Sequence, residues 1–210
     1  QLLAGLLSDF DEESVGEARL IFWSHDALRG RQWEPLRTAR RQFAEHEALG
    51  SEPDLIAVSE QTLFFIEAKF GSSNNVTAPR AQLQRQYVAG CGGAFNRLCA
   101  ADWETIAVKG RRYELLRLWL LGSWLAERLK RRFCLVNILP AVQLHRTPQE
   151  PFGELIRQSP ERRFVLRSWE QIREVVTETP TDADTALLIH YFQAKTLGYR
   201  GGRLRPAFQA

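Results

Sequence analysis

The sequence predicts an α/β domain. Two short runs rich in Leu, Ile, Val and Phe lie three residues apart as a hairpin, longer stretches on either side repeat their apolar residues at helical spacing, and a further apolar run ends at a proline. A chain of 210 residues, 44% hydrophobic and 25% charged, is long enough to bury one substantial core, and that balance excludes a fibrous or disordered chain.

Between Ser14 and His25, Val15, Ala18, Ile21 and Phe22 fall at helical spacing. Ser14 is a potential N-cap and Glu17 sits three residues on, completing a capping box, so a first helix is expected there. Leu36 to Glu45 alternates weakly and is rich in Arg, which predicts an exposed or edge strand. Leu55 to Val58 and Thr62 to Phe70 are the hairpin strands. The Gly/Ser/Asn loop from Gly71 to Thr77 leads into a helix expected over Arg80 to Leu98, ending near Gly92 and Gly93 or slightly beyond. Tyr113 to Arg132 reads as a greasier helix, Phe133 to Leu139 as a buried strand bounded by Pro140, and Phe164 to Leu166 as another strand. Trp169 to Thr177 and Thr185 to Leu197 read as helices, followed by a Gly- and Arg-rich tail, Gly198 to Ala210, with neither period. The predicted order is helix, three strands, helix, helix, strand, strand and helices.

Composition narrows the chemistry. The 28 basic against 25 acidic residues leave a net charge of only +3, so charge alone does not argue for nucleic acid. Three cysteines, Cys91, Cys99 and Cys134, lack the number and spacing for a disulfide framework, a four-thiolate zinc site or an iron–sulfur cluster. Without a basic leader and cleavage site, the expected home is the reducing cytoplasm. The chain begins at Gln1 and contains no Met, which leads us to expect a trimmed chain. The longest apolar stretch, Leu115 to Leu129, is interrupted by Arg117 and Glu127 and falls short of a bilayer span, so no membrane role is expected. His25, His46, His145 and His190 are scattered without metal-ligand spacing and read as structural or surface residues.

The hairpin carries the chemistry. If Glu60 and Gln61 form its loop, Ser59 faces Thr62 and the ladder continues until Asp54 lies opposite Glu67. Opposed residues share a face with Cβ atoms roughly 4.5–5.5 Å apart, and the strand period of two puts Lys69 on that face while Ala68 points away. Two opposed carboxylates repel each other in an apolar strand, and a divalent cation bridging Asp54 and Glu67 relieves the repulsion. Mg2+ suits such a site, taking one or two carboxylates, several waters and substrate phosphate oxygens. Lys69 adds positive charge where negative charge grows in the transition state, and the chemistry so assembled is phosphodiester hydrolysis.

Pro53-Asp54, a twelve-residue gap and Glu67-Ala68-Lys69 at the end of an apolar strand resemble the signature of the PD-(D/E)xK, or restriction endonuclease-like, nuclease superfamily. The resemblance implies a core of helix, three-strand meander, helix and strand over about residues 14–139, with residues 140–210 as a C-terminal extension of a single domain. It implies that Asp54 and Glu67 bind Mg2+ or Mn2+, that the Ala68 carbonyl is a further ligand, and that Lys69 positions or activates the attacking water. A glutamate from the first helix is also implied. Glu17 is the best match, ahead of Glu45, Glu47 and Glu52. DNA is favoured over RNA on the resemblance alone.

Gln82, Gln84, Gln86 and Tyr87 invite comparison with the RecB-like branch, but their spacing departs from its four-residue step, and its four iron–sulfur cysteines are absent. Arg37, Arg40 and Arg41, with Arg80, Gln84 and Arg85, are candidate contacts to nucleic acid, against a plain solvated basic face. Tyr87 reads as packing. Trp119 and Trp124 read as core, with a surplus apolar face available to a homodimer. Two other readings of the hairpin trio stand beside catalysis: a solvated cross-strand salt bridge, and a non-catalytic nucleic-acid-binding or assembly module on the same fold.

Overall fold

Leu63, Phe64, Phe65 and Ile66 are buried on both sides of one strand, which makes that strand the centre of the sheet. The computed structural model describes residues 18–26, 30–46, 50–70, 76–78, 81–144, 152–178, 183–200 and 203–206. Among these, seven strands form one sheet: β1 (Arg19–Phe22), β2 (His25–Asp26), β3 (Arg31–Gln32), β4 (Leu55–Val58), β5 (Thr62–Ala68), β6 (Arg132–Leu139) and β7 (Arg162–Ser168). Their order is β3-β2-β1-β4-β5-β6-β7. The first five pair antiparallel along this row, whereas β5, β6 and β7 run parallel.

The hairpin register is the one the alternation demands. Val58 pairs with Leu63 and Leu55 with Ile66, and the Ser59 amide donates to the Thr62 carbonyl at 3.0 Å across the two-residue loop. On one face, Ile56, Leu63, Phe65, Phe133 and Leu135 pack with Leu36, Phe43, Leu116, Trp119 and Leu120. On the other, Ala57, Phe64, Ile66, Cys134 and Val136 pack with Ile172, Val176 and Phe192. Helices α1 (Glu34–Gln42) and α4 (Tyr113–Leu129) therefore cover the first face, and α7 (Trp169–Glu178) and α8 (Ala183–Ala194) the second. Each large apolar side chain removed from water in this way contributes about 1.5–3 kcal/mol. At Gly122, α4 rides directly on β6: a Cβ there would lie 2.1 Å from the Phe133 ring.

Several predicted elements differ. The described part of the expected first helix is strand: β1 pairs with all of β4, Ile21 opposite Ile56, and strand pairing overrides a short helical spacing. Residues 14–17 lie outside the described residues. Leu36 to Glu45, expected as an edge strand, is largely helix α1, with a proline in its first turn and Leu36, Ala39 and Phe43 buried at intervals of three and four. The helix expected over Arg80 to Leu98 is broken. It runs as α2 (Ala81–Gln84), a π-helical turn (Arg85–Ala89), a 3-10 turn (Cys91–Gly93) and α3 (Ala94–Leu98). Gly92 and Gly93 take φ of 60° and 72°, so the chain turns there and helix resumes. Two further one-turn helices, α5 (Ala141–Leu144) and α6 (Phe152–Leu155), lie between β6 and β7. The tail, expected to be irregular, pairs β8 (Thr196–Arg200) with β9 (Arg203–Pro206). No described helix is long and apolar enough to cross a membrane.

Candidate functional site

The parallel strands β5, β6 and β7 end on the same side of the sheet, and the hairpin delivers Asp54, Glu67 and Lys69 to that end. Ligands of open α/β sheets bind outside the carboxyl ends of such strands. Asp54 immediately precedes β4, and its carboxylate is seated on β5, where Oδ2 accepts a hydrogen bond from the Ala68 amide at 2.8 Å. Its own carbonyl accepts from the Trp23 amide at 3.2 Å. The Lys69 backbone is pinned on both sides. Its amide donates to the Ile138 carbonyl at 2.8 Å, and its carbonyl accepts from Trp169 Nε1 at 2.9 Å. The Lys69 ammonium pairs closely with Glu67 Oε1 and lies 3.1 Å from Glu114 Oε1 in the first turn of α4.

Glu67 is only 2% exposed, so the trio is not a solvated surface bridge. Burial pushes the Glu67 carboxyl up to about 7; the hydrogen bond from Lys69 works against this, and the charge of Asp54 adds to it. Burial works to lower the Lys69 ammonium, but Glu67 and then Glu114 outweigh it and hold it above its ordinary value.

The segment leading into Asp54 is anchored from α1 and α4. Arg40, buried, donates from Nε and Nη2 to the Ser51 carbonyl at 2.8 and 2.6 Å, and from Nη2 to Ser24 Oγ at 3.0 Å. It also lies 3.7 Å from Glu52. Arg40, a predicted nucleic-acid contact, is therefore engaged inside the fold and positions the loop before Asp54. Glu45, just beyond α1, accepts from the Ser51 amide at 2.5 Å, from Ser51 Oγ at 2.6 Å, from Arg117 Nε at 3.3 Å and from the Tyr87 hydroxyl. Tyr87, 1% exposed and stacked on Phe43 and Trp103, is packing as predicted.

The other predicted residues fall outside the cluster. Arg37 pairs with Glu34 at 3.0 Å on the open face of α1, and Arg41 with the same Glu34 at 3.6 Å. Gln84 and Arg85 are exposed on the broken helix after β5. Glu17, Glu47, Arg80 and His145 lie outside the described residues; His25, His46 and His190 are exposed. Trp119 is fully buried, and Arg128 sits over the half-buried Trp124 ring, 4.7 Å from its centroid.

Two residues that sequence reasoning missed complete the surroundings. Glu114 reads in sequence as an acidic residue at a helix start, where the dipole favours it. Asn137 is the one polar residue in the apolar run Phe133 to Leu139, and that singularity was a usable signal. It is the β6 partner of Glu67 in the parallel register, so it shares the Glu67 face, and it is 2% exposed. Asn137 Oδ1 and Glu114 Oε2 are both buried without a hydrogen-bond partner among the described residues. Leaving such an atom unsatisfied costs about 1–3 kcal/mol each.

Among the described residues no group of three or more His, Cys, Asp or Glu side chains is placed to hold a metal ion. Two carboxylates, Asp54 and Glu67, with unsatisfied oxygens beside them, nevertheless match the sparse, water-retaining coordination of Mg2+. Asp54 and Glu67 are the residues that could hold such a cation. Comparison with protein-family models, with curated proteins and with solved structures finds no match to this chain.

Proposed function

We propose that the chain is a divalent-metal-dependent nuclease with a restriction endonuclease-like core, hydrolysing phosphodiester bonds, with DNA as the substrate. The observation that carries this reading is the convergence of Asp54, Glu67 and Lys69 at the carboxyl end of β5, with the Asp54 carboxylate seated on the Ala68 amide and Lys69 bonded to Glu67. The core arrangement supports it in part: β1, β4 and β5 lie side by side and antiparallel, with β2, β3 and α1 intervening in the chain between β1 and β4, and β6 follows α4 and runs parallel to β5.

Asp54 and Glu67 would hold the cation, with the Ala68 carbonyl as the third protein ligand that the resemblance implies. When bound, Mg2+ or Mn2+ polarises the phosphoryl oxygen and brings the pKa of a bound water toward neutrality. Lys69, held charged by Glu67 and Glu114, orients the attacking water and places an ammonium where the phosphorane-like charge develops. The Lys69 amide bonded to the Ile138 carbonyl and the Lys69 carbonyl bonded by the Trp169 indole fix its Cα, so only the side chain need adjust to substrate. Gln84 and Arg85, both exposed, and the half-buried Arg37 are the candidates for the nucleic-acid backbone. Arg80 joins them from the sequence alone.

The test is incubation of the purified protein with linear duplex and single-stranded DNA, with Mg2+ or with EDTA. Cleavage that requires the metal and is lost in Asp54→Ala and Lys69→Ala supports the proposal. Tight binding with no cleavage under Mg2+ or Mn2+ replaces it with a non-catalytic nucleic-acid-binding module.

A further inference from the structure

The orphaned oxygens beside Glu67 are both acceptors. Asn137 Oδ1 projects from the face of β6 that adjoins Glu67, and Glu114 Oε2 belongs to the carboxylate whose other oxygen holds Lys69. A buried acceptor without a donor is a standing loss to the folded chain, and packing alone would be served better by an apolar residue. The rest of the run from Phe133 to Leu139 is apolar, so Asn137 is the polar exception in the strand. Among the described residues these two oxygens have no donor. A hydrated divalent cation brings donors, because Mg2+ and Mn2+ keep several waters whose hydrogens point outward.

We propose that Asn137 Oδ1 and Glu114 Oε2 accept hydrogen bonds from the water shell of a divalent cation held by Asp54 and Glu67, making Asn137 and Glu114 positioning residues of the metal site. The inference rests on the metal-dependent reading given above. Asn137 is placed for this by strand pairing and therefore rigidly; Glu114 is placed by the start of α4 and by its hold on Lys69. Their work is to orient water, and neither is assigned direct contact with the cation.

The experiment measures Mn2+ binding to the full chain by the loss of the free-ion electron paramagnetic resonance signal, alongside thermal melting in EDTA. Asn137→Leu is expected to weaken Mn2+ binding by about 10–100-fold, the range found for groups that orient metal ligands. In EDTA the same variant is expected to melt at or above the wild-type temperature, since it removes an unsatisfied buried acceptor. Asn137→Asp, which keeps an acceptor oxygen, is expected to retain or strengthen binding. Wild-type Mn2+ affinity in Asn137→Leu overturns the inference, and so does equal weakening by the Leu and Asp variants. A wild-type chain that takes up no Mn2+, or an Asp54→Ala variant that binds it as wild type does, removes the metal reading itself.

Discussion

The Lys69 ammonium lies 3.1 Å from Glu114 Oε1, across 45 residues of chain, while also bonded to Glu67 two residues away. One carboxylate in this arrangement belongs to β5, which ends one residue before the lysine, and the other to the first turn of α4. The lysine is thereby fixed at two points. If Lys69 handles the attacking water, its placement depends on both.

Glu114→Gln should therefore slow metal-dependent DNA cleavage by roughly 100-fold, the scale of a small misplacement of a reacting group, while changing stability by no more than about 1 kcal/mol. Single-turnover rates compared with urea unfolding test this. Wild-type rates in the variant would remove Glu114 from the machinery.

Glu67 sets a pH dependence for the metal-free protein. Its folded carboxyl titrates at about 7 against an ordinary 4.5, so the folded state holds its proton more tightly than the unfolded chain. The resulting stability is fully present below 4.5 and is lost as pH rises through about 7. Unfolding free energies in EDTA should fall across that window by about 3 kcal/mol at most, and Glu67→Gln should flatten the curve. A slope of the opposite sign attributable to Glu67 would contradict the burial argument.

Arg40→Ala should destabilise the fold by about 2–4 kcal/mol, because it strips the Ser51 carbonyl and Ser24 hydroxyl of buried charged donors. If the variant retains a fold, the salt dependence of its DNA binding should match wild type, since the Arg40 guanidinium is buried against Ser24 and Ser51. A reduced slope of log affinity against log salt would restore Arg40 to the nucleic-acid surface.

Gly122→Ala sets a gain against a loss. Alanine favours a helix by about 1 kcal/mol over glycine, but here its Cβ would enter the Phe133 ring at 2.1 Å. Overpacking of this kind typically costs about 1–3 kcal/mol, and the contact is closer than most, so a net loss in unfolding free energy is expected. The double variant Gly122→Ala, Phe133→Leu should recover part of it.

The hairpin and its charged trio could be read from residue order because strand geometry is local: a two-residue loop and a period of two place Asp54 opposite Glu67 and put Lys69 on the same face. The strand at Phe133 to Leu139 and the helix from Tyr113 were legible for a similar reason, each being a long run of one period. Arg19 to Phe22 and Leu36 to Glu45 were misread because four to ten residues satisfy either period, and the decision fell to partners elsewhere, β4 for the first and the Phe65 face of the sheet for the second. Arg40 looked like a surface cation, since nothing in its neighbours reveals that Ser24 and Ser51 close around it. Glu114 and Asn137 entered the site only through the parallel pairing of β6 on β5 and the packing of α4 across them. Contacts between distant segments depend on how whole elements stack, and that information resides in the folded core as a whole.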